Sequence, residues 1–211
     1  MTQEIQVLAH SCIRIEGQQV IYFDPYLLTE EYHDAGVVFI THDHYDHFSP
    51  EDLAKVINKT TTLVLPKSMS DNAGLAQFDS LEKIFVEPGQ SIEVKGMPIE
   101  VVAAYNTNKD FHKKEFNWVG YVVTINHARY FVTGDTDANA ENLQVTCEVL
   151  LVPCGGTYTF TAEEAAEFAN QLRPKIAIPT HYGSIVGEKT DGARFASLLD
   201  EGIRVEEKLT F

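Results

Sequence analysis

Thr41-His42-Asp43-His44-Tyr45-Asp46-His47 follows directly on the apolar run Val37-Val38-Phe39-Ile40. Four β-branched and aromatic residues in a row read as a buried strand, so the polar cluster lies on the loop leaving its C-terminal end. A buried strand that aims such a loop demands a sheet-containing fold. The residue types also select a chemistry. Imidazole and carboxylate together suit zinc, iron or manganese. A merely solvated loop would gain nothing from gathering so many side chains that compete for one metal.

The rest of the chain is made of similarly short pieces. Apolar or alternating runs occur at residues 5–8, 12–15, 20–23, 63–65, 84–86, 99–104, 119–125, 130–133, 149–152 and 176–178. They are too many and too short for a helical bundle, and most read as strands. Helix signals are fewer. Ser49-Pro50-Glu51-Asp52 places a capping serine, a first-turn proline and two acids ahead of Leu53, Val56 and Ile57 at helical spacing. Thr161-Ala162-Glu163-Glu164 is a capping box opening a helix to about Leu172, where Arg173-Pro174 stops it. Residues 193–199 read as a third helix, and residues 68–77 and 137–143 as weaker ones. Strands early and helices later suit an α/β domain of stacked sheets covered by helices. With no internal repeat, low-complexity stretch or linker, residues 1–211 read as a single domain.

Composition narrows the classes. A chain of 211 residues with 44% hydrophobic content builds a sizeable core and excludes disorder. No run is long enough to cross a bilayer, and Met1-Thr2-Gln3-Glu4 lacks the features of a signal peptide. Cys12, Cys147 and Cys154 are odd in number and widely spaced, which argues against a disulfide framework and for a reducing cytoplasm. The absence of a CxxC pair excludes a thiolate zinc knuckle. Lys and Arg number 16 against 31 Asp and Glu, a net charge of −15. That balance disfavours attraction to membranes or to large nucleic acids, leaving a small molecule as the expected partner. An anionic substrate stays open, because a metal supplies local positive charge.

Two more candidate ligands stand where buried strands end. Tyr130-Phe131-Val132-Thr133 leads into Gly134-Asp135-Thr136-Asp137, and Ile176-Ala177-Ile178-Pro179 leads into Thr180-His181-Tyr182-Gly183. A rigid strand aims a polar loop, so functional groups collect at such positions. Singly, each is an ordinary turn or an ordinary histidine. Beside the 42–47 cluster they read as ligands.

The three segments 41–47, 134–137 and 179–183 together resemble the metallo-β-lactamase superfamily in content, order and spacing. Within it the likeness is to small metal-dependent hydrolases related to the ascorbate-6-phosphate lactonases. His10-Ser11-Cys12-Ile13-Arg14-Ile15 is similar to their early His-Ser-Ser turn, Tyr22-Phe23-Asp24-Pro25-Tyr26 to a strand ending in Asp-Pro, and Pro153-Cys154-Gly155-Gly156-Thr157-Tyr158-Thr159 to a glycine-rich loop. The resemblance implies a four-layer αββα sandwich. By motif position it assigns His42 and His44 to a first metal, Asp46, His47 and His181 to a second, and Asp135 to a bridge between them. It also puts His10 at the pocket, while Asp24, at the end of a buried strand, reads either as the group that orients a ligand histidine or as a simple turn aspartate.

The chain departs from the family where a further histidine is expected, after the strand near residue 104. It has Ala104-Tyr105-Asn106 there, with His112 six residues on. Three outcomes are open: His112 supplies the ligand, or Asn106 leaves a weak first site and a single tightly bound metal, or the metal is iron or manganese instead of zinc. The segment 106–114 is basic within an acidic chain, so Lys109 and its neighbours are candidates for holding an anionic group, with Tyr105 beside them. Phe111, Phe116 and Trp118 either pack this loop down or wall the pocket.

The function expected is hydrolysis of a phosphodiester, lactone or other small ester by metal-activated water, with one or two zinc ions, or manganese or iron. Asp46 would orient the water or pass a proton to the leaving group. The alternative is a non-catalytic metal-binding or ligand-sensing domain with an incomplete first site. A two-iron redox enzyme on the same ligands would need a flavin partner, which the chain does not carry.

Overall fold

The computed structural model describes residues 4–211. The chain groups into two compact units, one running to Val86 and the other from Glu87 to Leu209. Each is built on one mixed sheet with helix cover.

In the first unit six strands lie in chain order: β1 (Glu4–Ala9), β2 (Cys12–Glu16), β3 (Val20–Phe23), β4 (Ala35–Phe39), β5 (Thr62–Pro66) and β6 (Glu82–Val86). β1 to β3 are an antiparallel meander and β3 to β6 run parallel. The parallel strands are covered on both faces, which is why β4 and β5 read as near-continuous apolar runs. Between them lies α1 (Pro50–Val56). Ser49 Oγ accepts from the Asp52 amide at 3.2 Å, and Pro50 takes the first turn, where its missing N–H costs nothing. The helix lays Leu53 and Val56 onto Val38, Ile40, Leu63 and Leu65.

In the second unit the sheet order is β13-β12-β11-β10-β9-β8-β7, from β7 (Ser91–Val94), β8 (Met97–Ala103), β9 (Val119–Ile125), β10 (Ala128–Val132), β11 (Val149–Pro153), β12 (Ile176–Thr180) and β13 (Arg204–Val205). β7 to β10 are antiparallel and β10 to β13 parallel. α2 (Ala162–Leu172) has its capping box complete in both directions and ends at Arg173 in the left-handed conformation. Its apolar stripe, Ala162, Ala165, Ala166, Phe168 and Ala169, packs with Leu150, Val152 and Ala177, joined by Phe195 of α3 (Asp191–Ser197).

The weaker helix expectations resolve differently. Residues 68–77 form two short 3-10 turns, Lys67–Met69 and Ala73–Phe78, separated where the Asn72 side chain accepts from the Gly74 amide. Of residues 137–143 only the end joins a turn, at Asn142–Gln144. Here the Asp137 amide donates to Tyr105 O and the Asp137 carbonyl accepts from Asn142 Nδ2, bonds that replace a helical ladder. The edge strands β7 and β13 give no signal in the sequence. Among the described residues no helix is long and apolar enough to cross a membrane.

Candidate metal centre

In the first unit the loop after β4 is held by the end of β3. Asp24, with φ 45°, donates its amide to Phe39 O at 3.0 Å. Its carboxylate accepts from the Thr41 amide (2.8 Å), the Thr41 hydroxyl (2.7 Å) and His47 Nδ1 (2.8 Å). Burial pushes the Asp24 carboxyl above the ordinary range, while His47 and Thr41 pull it down. The hydrogen on Nδ1 of His47 is thereby fixed, and Nε2 is the nitrogen offered as a ligand.

The His44 carbonyl accepts from the amides of His47 and Phe48 at 3.0 and 2.8 Å, which folds the loop back on itself. His42 Nε2 then stands 3.1 Å from His44 Nδ1, and the His42 and His47 rings are 4.0 Å apart. His10, buried and with φ 47°, brings Nε2 to 3.2 Å from Asp46 Oδ2, and His47 Nε2 lies 3.8 Å from the same oxygen. His10, Asp46 and His47 each offer a ligand atom within 4.8 Å of one another. Asp43, the other carboxylate of the cluster, is exposed.

In the second unit three loops contribute. Asp135 follows β10 and His181 follows β12, both buried, with His181 Nε2 3.2 Å from Asp135 Oδ2. His112 is buried too, and its Nε2 stands 3.4 Å from that same oxygen. Asn106 is engaged elsewhere than at a metal. Its Oδ1 accepts from the His112 amide at 3.0 Å and faces His112 Nδ1 at 2.9 Å, and its Nδ2 donates to Tyr158 O at 3.1 Å. Tyr158 O also lies 3.1 Å from His112 Nδ1. With two oxygen acceptors before it, Nδ1 of His112 carries the hydrogen. Nε2 therefore turns either a lone pair or a second proton toward the Asp135 carboxylate. Each imidazole nitrogen stands beside the same buried carboxylate oxygen, and nitrogen and carboxylate donors are the types that a divalent transition metal takes.

The supports of this half come from distant parts of the chain. Asp137 accepts from Lys109 Nζ at 2.5 Å and from the Thr107 amide at 3.1 Å, anchoring the 106–112 loop. Lys109 also lies 3.7 Å from Glu164, so its charge is used internally. Tyr105 donates its hydroxyl to Glu141 at 2.7 Å, with Lys114 over its ring and 2.7 Å from the same carboxylate group. Gly155 passes so close to β12 that a Cβ there would lie 2.2 Å from His181 O. Thr157, a β-branched residue at φ 56°, is the centre of a tight turn closed by the Tyr158 amide and Gly156 O at 2.6 Å. Such a turn costs on the order of 1–3 kcal/mol and sets the direction of the Tyr158 carbonyl. Thr41, Asp137 and Tyr158 escape a reading of the sequence, because their roles are contacts to residues far along the chain.

Mixed sheets that deliver imidazoles and carboxylates from the ends of parallel strands define a metallo-β-lactamase type of α/β protein. Residues 4–181 match the family model described as the beta-lactamase superfamily domain. A UPF0173 metal-dependent hydrolase of Thermoplasma volcanium is 30% identical over 200 residues, spanning 90% of this chain and 87% of that protein. Among solved structures, a protein of Parabacteroides distasonis described as a metal-dependent hydrolase superposes with a TM-score of 0.80 at 25% identity, covering 98% of this chain and 93% of that one. Igni18, a metallo hydrolase of Ignicoccus hospitalis, gives 0.76 at 21% identity over 100% and 97% of the two chains. The chain belongs to the metallo-β-lactamase superfamily and, within it, to the UPF0173 metal-dependent hydrolases.

Proposed function

We propose that the chain hydrolyses a small carboxylic ester, lactone or phosphodiester, with zinc as the metal and one or two ions bound. The candidate ligands are His42, His44, Asp46, His47, His112, Asp135 and His181. When bound, such an ion lowers the pKa of coordinated water toward 7 and polarises the oxygen under attack. The single observation that carries this reading is the meeting of His112 Nε2 and His181 Nε2 on one oxygen of buried Asp135.

The chain's own groups supply the rest. Asp24 and Asn106 hold His47 and His112 in the tautomer that offers Nε2. Asp46, partly exposed beside His10, would orient water or pass a proton to the leaving alcohol. Lactones stay among the substrates because of the likeness to ascorbate-6-phosphate lactonases. Three cysteines without disulfides support a cytoplasmic location. Elemental analysis of the purified protein, paired with hydrolysis assays before and after chelation, tests the reading. Bound metal with turnover that chelator abolishes and zinc restores is expected. Full turnover in metal-free protein would sink it.

A further inference from the structure

The residues bordering the ligands carry more information than the ligands. Phe111 precedes His112 in the chain and is 48% exposed, and Tyr158, whose carbonyl faces His112 Nδ1, is 40% exposed. Their rings meet edge to face, 4.7 Å apart at 87°. One exposed aromatic is ordinary, but two held in contact by a strained turn and a ligand-bearing loop form a built apolar edge. The first unit repeats the arrangement. Tyr45, between His44 and Asp46, is 65% exposed and meets Tyr26 edge to face at 6.0 Å, with Leu27 exposed next in the chain.

Charge points the same way. Of the three lysines in the basic segment, Lys109 is held by Asp137 and Glu164 and Lys114 by Glu141, while Lys113 is exposed to solvent. An anionic substrate would have to displace a buried carboxylate to reach Lys109, the lysine on the loop that carries His112. Given the hydrolytic reading above, we propose that the substrate is an uncharged carboxylic ester or lactone with an apolar, preferably aromatic, substituent, and that Phe111 and Tyr158 bind that substituent. Water adds its oxygen to the acyl carbon, the acyl C–O bond breaks, and the products are a carboxylate, an alcohol and a proton.

The test uses the full chain loaded with zinc and three probes: p-nitrophenyl acetate, p-nitrophenyl hydrocinnamate and bis(p-nitrophenyl) phosphate, each rate divided by its uncatalysed rate. The hydrocinnamate is expected to exceed the acetate in kcat/KM by about tenfold or more. Phe111→Ala and, independently, Tyr158→Ala should shrink that ratio severalfold, mainly through KM, while Phe111→Leu keeps most of it. Binding gives a second readout. Benzylacetone, a ketone of the same shape that cannot be hydrolysed, should bind the metal-free protein in ligand-observed NMR and lose binding in both alanine variants. Metal content and circular dichroism establish that each variant is folded. A ratio near one in the native chain, or an unchanged ratio in both folded variants, overturns the proposal. Turnover of the phosphodiester alone overturns it and leaves the hydrolytic reading standing, whereas turnover of no probe by zinc-loaded protein overturns both.

Discussion

In the first unit the candidate ligands come from one seven-residue loop, residues 41–47, whereas in the second they come from three loops that carry His112, Asp135 and His181. The loops carrying residues 41–47, Asp135 and His181 follow strands of the parallel part of each sheet, that of His112 follows antiparallel β8, and the two sets are supported differently. One carboxylate, Asp24, secures the first loop through Thr41 and His47. The second set depends on a side-chain amide, a backbone carbonyl and a glycine that tolerates close approach: Asn106, Tyr158 and Gly155. A compact motif needs one good anchor. A dispersed one needs the backbone itself to be placed correctly, and becomes sensitive to residues with no metal chemistry of their own.

Removing a ligand from either unit should have the largest effect. His47→Ala and Asp135→Ala are each expected to cut turnover by more than about a hundredfold, the upper end of what supporting groups alone cost. Metal content and kcat/KM are the measurements. Loss in only one of the two would break the equivalence of the units.

Gly155→Ala should come next and act through stability. The added Cβ meets a carbonyl oxygen at 2.2 Å, so the β12 end must shift, at a cost of about 2 kcal/mol or more. Thermal unfolding reads it, and an unchanged Tm would show that the loop relaxes freely. Asp24→Asn and Asn106→Ala then compare the two kinds of anchor. Each should weaken metal affinity by about 10–100-fold. A harmless Asn106→Ala beside a damaging Asp24→Asn would mean that Tyr158 O alone suffices to hold His112.

Alkaline pH probes both cores. Burial pushes the Cys12 and Cys147 thiols from 9.0 up to about 12, so the folded chain keeps protons that the unfolded chain releases. Their contribution to stability is full below pH 9.0 and is lost as pH rises toward about 12. Urea midpoints should therefore fall above pH 9.0, and Cys12→Ala should flatten part of that fall. A fall just as steep in Cys12→Ala would exclude the first-unit thiol as a source. The smallest effect is expected at Thr159, whose fully buried hydroxyl has no hydrogen-bond partner among the described residues. Thr159→Val should leave Tm unchanged or raise it by a few degrees, a gain of roughly 1 kcal/mol. A lower Tm would show that the hydroxyl is satisfied in solution.

What could be read from the chain alone is what neighbours along it determine. The 41–47 cluster, the Ser49 and Thr161 caps and the runs that become β4, β5, β11 and β12 are local patterns whose physics acts within a few residues. The α/β class follows from their order. Other features depend on contacts distant in sequence. β7 and β13 exist because β8 and β12 offer them an edge. Residues 137–143 lose their expected helix where the Asp137 amide donates to Tyr105 O, 32 residues earlier. The substitution at Asn106 resolves only when His112, six residues away, is seen holding its side-chain oxygen. Lys109, basic in the sequence, is neutralised by an aspartate 28 residues further on. Residue type and local spacing set which chemistry is available, whereas hydrogen-bond partners far along the chain decide which atom of each residue is presented to it.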